Sequence, residues 1–286
     1  MILLRNLVYV RLGTEDLDEA EHFCTSILGL EMAKRDADNL YLRSNTRIYT
    51  LHYLKGKPAD QAVGIEVDGA AELSDAANLL EERGITVYRG TREEATARRV
   101  HDFIAFSCPS GNRLELVVRP QLSAKRYFPS RDAGITGFNH IGLFTTDPVR
   151  DEQFWTSLFN VKVSDRISDI PLMRFTSMHH ELALVRGEGP GIQHINHQVE
   201  TTDDVMRNYY FLRERNVPIV FGPGRHPTSG ARFVYFTGPN NMVFEYSCGV
   251  DHIADEANHR PRQFAFEPTS FCMWGSRPTG FVKTGD

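Results

Sequence analysis

The sequence predicts an α+β fold: four βαβββ modules paired into two homologous domains, each a curved sheet enclosing a funnel. Three internal matches point to it. Residues 7–30 and 138–161 both run from an alternating apolar strand through Asp16 or Asp147 into a helical stretch bearing a Phe and a Thr-Ser pair. Residues 105–117 and 235–247 both read as strand, Pro turn and strand, with Glu115 and Glu245 closing the pattern. Between them, A-V-G-I-E-V-D (62–68) matches H-I-N-H-Q-V-E (194–200). The spacing holds at about 130 residues throughout, which a duplicated domain requires.

The first strand is the alternation L-V-Y-V-R-L from residue 7. Its Arg, and the lack of a small-residue cleavage site, set it apart from a signal peptide. Asp16 and Asp147 precede the helical runs as N-caps, because a carboxylate there accepts from the orphan amides of the first turn. Gly29 and Asn160 stand where each helix is expected to close with a left-handed residue. Phe23, Phe154 and Trp155 mark the buried faces of these helices. The second module of each half passes into a helix ending at R-G-I-T-V (83–87) or R-N-V-P-I (215–219). The four modules fall near 5–55, 60–118, 136–188 and 192–248. This gives an N-terminal domain at 1–120, a linker at 121–135, a C-terminal domain at 136–249 and a tail at 250–286. In the tail, Phe264, Phe266, Phe271 and Trp274 are expected to pack on the second domain.

Composition narrows the function classes. The chain has 286 residues, of which 41% are hydrophobic, enough for a real core. A net charge of −5 without a basic run argues against a nucleic-acid partner. No stretch reaches the roughly 18 consecutive apolar residues of a membrane span. Cys24, Cys108, Cys248 and Cys272 are scattered with no C-x-x-C pair, as expected of free thiols in a cytoplasmic protein.

Two copies of one fold should differ where only one does chemistry. Where the first half has Tyr9 and Ala62, the second has His140 and His194, while Glu115 is matched by Glu245. The second half alone therefore places two imidazoles and a carboxylate on three different strands. Such a set with open positions suits a non-haem Fe(II) site, and Mn(II) or Zn(II) could use the same donors. The first half, with only the carboxylate, is expected to be metal-free.

N-H-I-G-L (139–143), H-H-E-L-A-L-V (179–185), H-I-N-H-Q-V-E-T-T-D-D (194–204) and residues 222–246 resemble the vicinal oxygen chelate superfamily. Within it, they are most similar to the two-domain type I extradiol (ring-cleaving) dioxygenases. The resemblance covers nearly the whole chain. It implies that His140, His194 and Glu245 hold the metal. It makes His180 the acid/base histidine, His226 a second-sphere histidine and Tyr235 the hydrogen-bond donor to substrate. One departure is the turn Gly238-Pro239-Asn240-Asn241 in place of an Asp-Pro-x-Gly type, which Asn can adopt by tolerating positive φ. Alternation on a strand predicts that His179 points away where His180 faces in, and that His197 lies opposite His194.

The implied activity is extradiol cleavage of a substituted catechol, of the catechol or 2,3-dihydroxybiphenyl type, by O₂. The cofactor is Fe(II), or Mn(II), and the product a 2-hydroxymuconic semialdehyde type. The setting is aromatic-compound catabolism, in a cytoplasmic homo-oligomer. The residue types suit this chemistry. An imidazole near pKa 6.5 can take a proton and return it, and a 2+ ion favours the catecholate. Phe138, Leu143, Phe175, Leu184, Phe233 and Phe244 stand beside the ligands, where they either exclude water or, more often for such residues, pack as ordinary core. Arg174, Arg225 and Arg232 could pair a substrate carboxylate, exposure being the default for an Arg. Two rivals share the fold. A glyoxalase-like metal-dependent lyase or isomerase would need a fourth ligand, and the first half offers only Glu115. A non-enzymatic small-molecule-binding protein would need a pocket and no redox metal.

Overall fold

A computed structural model of the chain describes residues 1–279; the end of the expected tail, 280–286, lies outside the described residues. The first half begins with β1 (Leu7–Thr14), α1 (Leu17–His22), β2 (Glu31–Arg35), β3 (Asn39–Arg43) and β4 (Leu51–Lys55). Its second module is β5 (Gln61–Val67), α2 (Ala70–Glu82), β6 (Tyr88–Arg89), an unforeseen α3 (Arg92–Ala97), β7 (Asp102–Ser107) and β8 (Arg113–Val118). The second half repeats this with β9 (Ile135–Thr145), α4 (Pro148–Leu158), β10 (Lys162–Ile167), β11 (Ile170–Arg174) and β12 (Leu182–Arg186). Then come β13 (Ile192–Val199), α5 (Thr202–Glu214), β14 (Ile219–Arg225), β15 (Arg232–Thr237) and β16 (Val243–Cys248). The tail adds β17 (Arg262–Phe264) and α6 (Pro268–Phe271).

The strands form an eight-stranded sheet, β2-β3-β4-β1-β5-β8-β7-β6, and a nine-stranded one, β14-β15-β16-β13-β9-β12-β11-β10-β17. Read from its other end, the second sheet repeats the first module for module, with β17 added at the edge. The modules of each sheet meet along one antiparallel seam, β1 with β5 and β9 with β13. This puts β9, β13 and β16 side by side.

Local chemistry starts and stops the helices as the pattern predicts, with one exception. Asp16 accepts from the amides of Asp18 and Glu19 at 3.0 and 2.8 Å, and Asp147 from that of Arg150 at 3.1 Å. Gly29 (φ 87°) is left-handed, and so are Gly84 and Asn216 behind α2 and α5. Asn160 is not. Its side chain instead accepts from the Leu4 amide at 2.8 Å and donates to the Leu4 carbonyl at 3.1 Å, tying the two halves together. Asn240 and Asn241 do take positive φ, 55° and 58°, in the turn before β16.

The strands alternate faces with period two. Val10 and Leu12 of β1 and Ile141 and Leu143 of β9 enter one continuous core with Trp155, Phe159 and Phe244. The opposite faces hold two separate clusters. One gathers Tyr9, Tyr41, Tyr49 and Phe103 in the first half, the other Ile167, Phe221, Phe233, Tyr235 and Phe271 in the second. Of the tail aromatics, Phe271 is buried there, while Phe266 and Trp274 are 39% and 54% exposed, against expectation. The four cysteines are free and buried, and no helix among the described residues is long and apolar enough to cross a membrane.

Candidate metal centre

Three neighbouring strands bring His140, His194 and Glu245 together. They come from β9, β13 and β16, and one ligand atom of each lies within 4.8 Å of the others. All three are buried. The Nε2 atoms of His140 and His194 stand 2.9 and 3.6 Å from Glu245 Oε2. Neither approach has hydrogen-bond geometry. Both nitrogens and both Glu245 oxygens lack a hydrogen-bond partner among the described residues. A buried polar atom left unpaired costs about 1–3 kcal/mol, and a cation at their centre would satisfy all four. Two imidazoles and a carboxylate also form a donor set that leaves coordination positions open. The residues present therefore fit a 2+ ion.

Local structure aims these side chains. A bulge in the β9–β13 pairing lets Gln193 and His194 both face the cavity, and Gln193 Oε1 is hydrogen-bonded to His194 Nδ1, which turns Nε2 toward the centre. Opposite His194 across the seam is Gly142, where a Cβ would collide with the His194 ring and Gln193 Oε1. The first half reverses the bulk at that pair, with Arg11 opposite Ala62.

His180, His226 and Tyr235 line the same cavity. The His180 ring centre is 4.3 Å from that of His140. His226 Nδ1 lies 2.8 Å from the Phe271 carbonyl and so carries a proton. That leaves Nε2 to accept from the Tyr235 hydroxyl at 3.2 Å. Burial first, then the Glu245 carboxylate, raises the Tyr235 phenol well above its usual pKa, so it stays a proton donor. Burial, with neighbouring His140 and His179, pushes His180 well below its ordinary value, and burial holds His194 at about 3. Both imidazoles are therefore neutral.

The structure corrects several expectations. His180 is not on a strand, because 175–181 is a loop between β11 and β12, so strand alternation does not govern its neighbour. His179 stays in touch with it. The two Nδ1 atoms are 3.1 Å apart, and His179 Nε2 is 2.9 Å from Asp165 Oδ2. Asp165 also accepts from Arg262 of the tail at 2.6 Å. Burial pushes the Asp165 carboxyl up, but His179 and Arg262 outweigh it and hold it below its usual range. Nothing in the sequence signalled this chain, whose members come from three separate segments. His197 does face away from His194, between the rings of Phe138 and Phe244.

Of the six apolar residues beside the ligands, Phe233 belongs to the cluster on the metal face, and the other five take the ordinary core role, packing behind the sheet. Phe244 adjoins Glu245, and period two sends adjacent side chains to opposite faces. The cavity wall is instead Ile167, Ile170, Leu172, Val185, Phe221 and the tail's Phe271. Arg174 is buried rather than exposed, paired with Glu256 at 2.7 and 2.9 Å.

In the first half, the equivalent carboxylate is closed off. Glu115 accepts from the Tyr9 hydroxyl at 2.7 Å, from Arg98 at 3.0 and 2.9 Å, and from Arg11 at 3.1 Å.

The fold and this centre together make a βαβββ domain with three residues placed to fit a divalent metal. Residues 137–246 match the Glyoxalase/Bleomycin resistance protein/Dioxygenase superfamily. Across its length the chain is 28% identical to an iron-dependent extradiol dioxygenase of Rhodococcus jostii (strain RHA1), covering 95% of this chain and 96% of that one. It is also 28% identical to a biphenyl-2,3-diol 1,2-dioxygenase of Pseudomonas sp. (strain KKS102), over 96% and 97% of the two chains. The same fold occurs in the crystal structure of a halotolerant catechol dioxygenase, with TM-score 0.87, 23% identity and coverage of 97% and 96%. A Mn(II)-bound glyoxalase from Novosphingobium aromaticivorans shares it too, with TM-score 0.86, 22% identity and coverage of 99% and 95%.

Proposed function

We propose that this chain is an Fe(II)-dependent extradiol dioxygenase that opens the ring of a substituted catechol with O₂, in aromatic-compound catabolism. The observation that carries the reading is the convergence of His140, His194 and Glu245 atoms that lack a hydrogen-bond partner, beside a cavity lined by His194, His180, His226 and Tyr235. In this reading His140, His194 and Glu245 are the ligands. Bound iron supplies a Lewis acid for the catechol oxygens and a redox partner for O₂. Mn(II) suits the same donors.

The chain's own groups do the rest. Tyr235 gives its one hydroxyl proton to His226 Nε2 in the resting chain, and turns it to a substrate oxygen when the catechol enters, while the His226 ring stays anchored on the Phe271 carbonyl. His180, neutral at rest, accepts a hydroxyl proton and returns it later in the turnover. Ile167, Ile170 and Phe221 keep bulk water from the reacting ring. Residues 1–120 form the metal-free domain, 121–135 the linker, 136–249 the catalytic domain, and 250–286 a tail that supplies Phe271. A cytoplasmic homo-oligomer completes the reading. Glu115 argues against a four-ligand glyoxalase-type centre, because it is occupied by Arg98, Arg11 and Tyr9 in its own half.

The test is O₂ uptake by the iron-loaded protein with a panel of single-ring and bicyclic catechols, alongside the absorbance of a yellow semialdehyde product. Uptake matched one-to-one by product is expected. A protein that binds iron at the centre yet consumes no O₂ with any catechol would refute the proposal.

A further inference from the structure

A second cavity, about 460 Å³, shares no lining residue with the one beside the metal centre. Arg11 of β1, Arg98 after α3 and Arg113 of β8 line it, with Val63, Leu143 and Ile192 as apolar wall. Glu115 lies among the three guanidinium groups, bonded to Arg98 and Arg11 and 3.8 Å from Arg113 Nε. Glu115 lies behind the lining, and the acid on the lining itself, Asp60, is exposed and accepts from the Lys57 amide. Three cations against two acids leave the cavity with excess positive charge. Among the described residues no acceptor is bonded to Arg11 Nη2, and the Arg113 side chain makes no hydrogen bond.

Guanidinium nitrogens left without an acceptor, on the largely buried Arg11 and the half-exposed Arg113, favour an anion, and a planar carboxylate is their best-matched partner. His52, 3.4 Å from Arg11 Nε, registers the field: burial, then Arg11 and Arg98, hold its imidazole at about 3. The apolar wall is rigidly placed. The Ile192 amide donates to Gln61 Oε1 and the Gly191 amide to Asn112 Oδ1, both at 2.7 Å, locking the approach to β13 onto the first half.

We propose that this cavity binds a small carboxylate with a flat apolar body. Its carboxylate rests on Arg11 and Arg113, and its body lies against Val63, Leu143 and Ile192. Benzoate is the probe. It is titrated calorimetrically into the anaerobic iron-loaded protein, beside benzyl alcohol and inorganic phosphate. One benzoate per chain is expected to bind, with both comparison molecules weaker by about tenfold, the scale of a lost charge-assisted hydrogen bond. Arg113→Gln, on the exposed rim, should weaken benzoate by a similar factor, as should Arg11→Gln, which leaves Arg98 on Glu115. His194→Ala should leave benzoate binding intact, which separates this site from the iron. The proposal is overturned if benzoate does not bind, or binds unchanged in both arginine variants. It is also overturned if binding is lost in His194→Ala alone, or if benzyl alcohol or phosphate matches benzoate.

Discussion

Replacing Gly142 by alanine tests how the metal centre is built without touching any ligand. The new Cβ would stand closer to the His194 ring and Gln193 Oε1 than real Cβ atoms approach. The strand cannot retreat far, because β9 is paired on both sides, with β13 and with β12. The strain must therefore move His194. Overpacking of this kind costs about 1–3 kcal/mol of stability. Disturbing the orientation of a ligand costs about 10–100-fold in metal affinity, or about 1.4–2.7 kcal/mol. Gly137→Ala is the control on the same strand, since its Cβ would meet only Asn45 Nδ2 at an ordinary 3.5 Å. The assay is competition for Fe(II) against a calibrated chelator, with thermal melts of the metal-free proteins. Gly142→Ala is expected to lose affinity and melt earlier, and Gly137→Ala to do neither. Wild-type iron affinity in Gly142→Ala, or an equal loss in Gly137→Ala, would show that close packing against His194 does not set the site.

His194→Ala should abolish iron retention, and normal iron content by elemental analysis would remove His194 from the ligand set. His180→Ala should keep its iron and lose turnover, whereas unchanged turnover would place the acid/base role elsewhere. His52 and His197, held at about 3 by burial, are neutral in the folded chain but titrate near 6.5 once unfolded. The folded state then binds fewer protons, so stability is full above about pH 6.5 and falls as pH drops, by about 2 kcal/mol per residue at pH 5. Urea unfolding of His197→Leu at pH 7 and 5 should show a smaller acid loss than the parent protein; an equal loss would discount this histidine. Arg98→Met leaves Glu115 with Arg11 and Tyr9 alone, and should destabilise the fold by about 3 kcal/mol while iron content stays normal. Loss of iron in that variant would tie the first half to the metal.

The sequence by itself determined whatever depends on periodicity and repetition. The four modules, the caps at Asp16 and Asp147, the positive-φ residues Gly29, Asn240 and Asn241, and the convergence of His140, His194 and Glu245 all follow from local pattern or from comparing one copy with the other. Only the tertiary structure decided which apolar residues wall the cavity, because bulges shift strand register and one slip exchanges the faces. It also decided how His179 is used, since 175–181 leaves the strand and the partners Asp165 and Arg262 arrive from distant segments. Asn160 reads locally as a helix end, yet folding turns it into a bond between the halves. Side chains that act on neighbours along the chain are visible in one dimension. Those that act across the fold acquire their partners only when the sheets close.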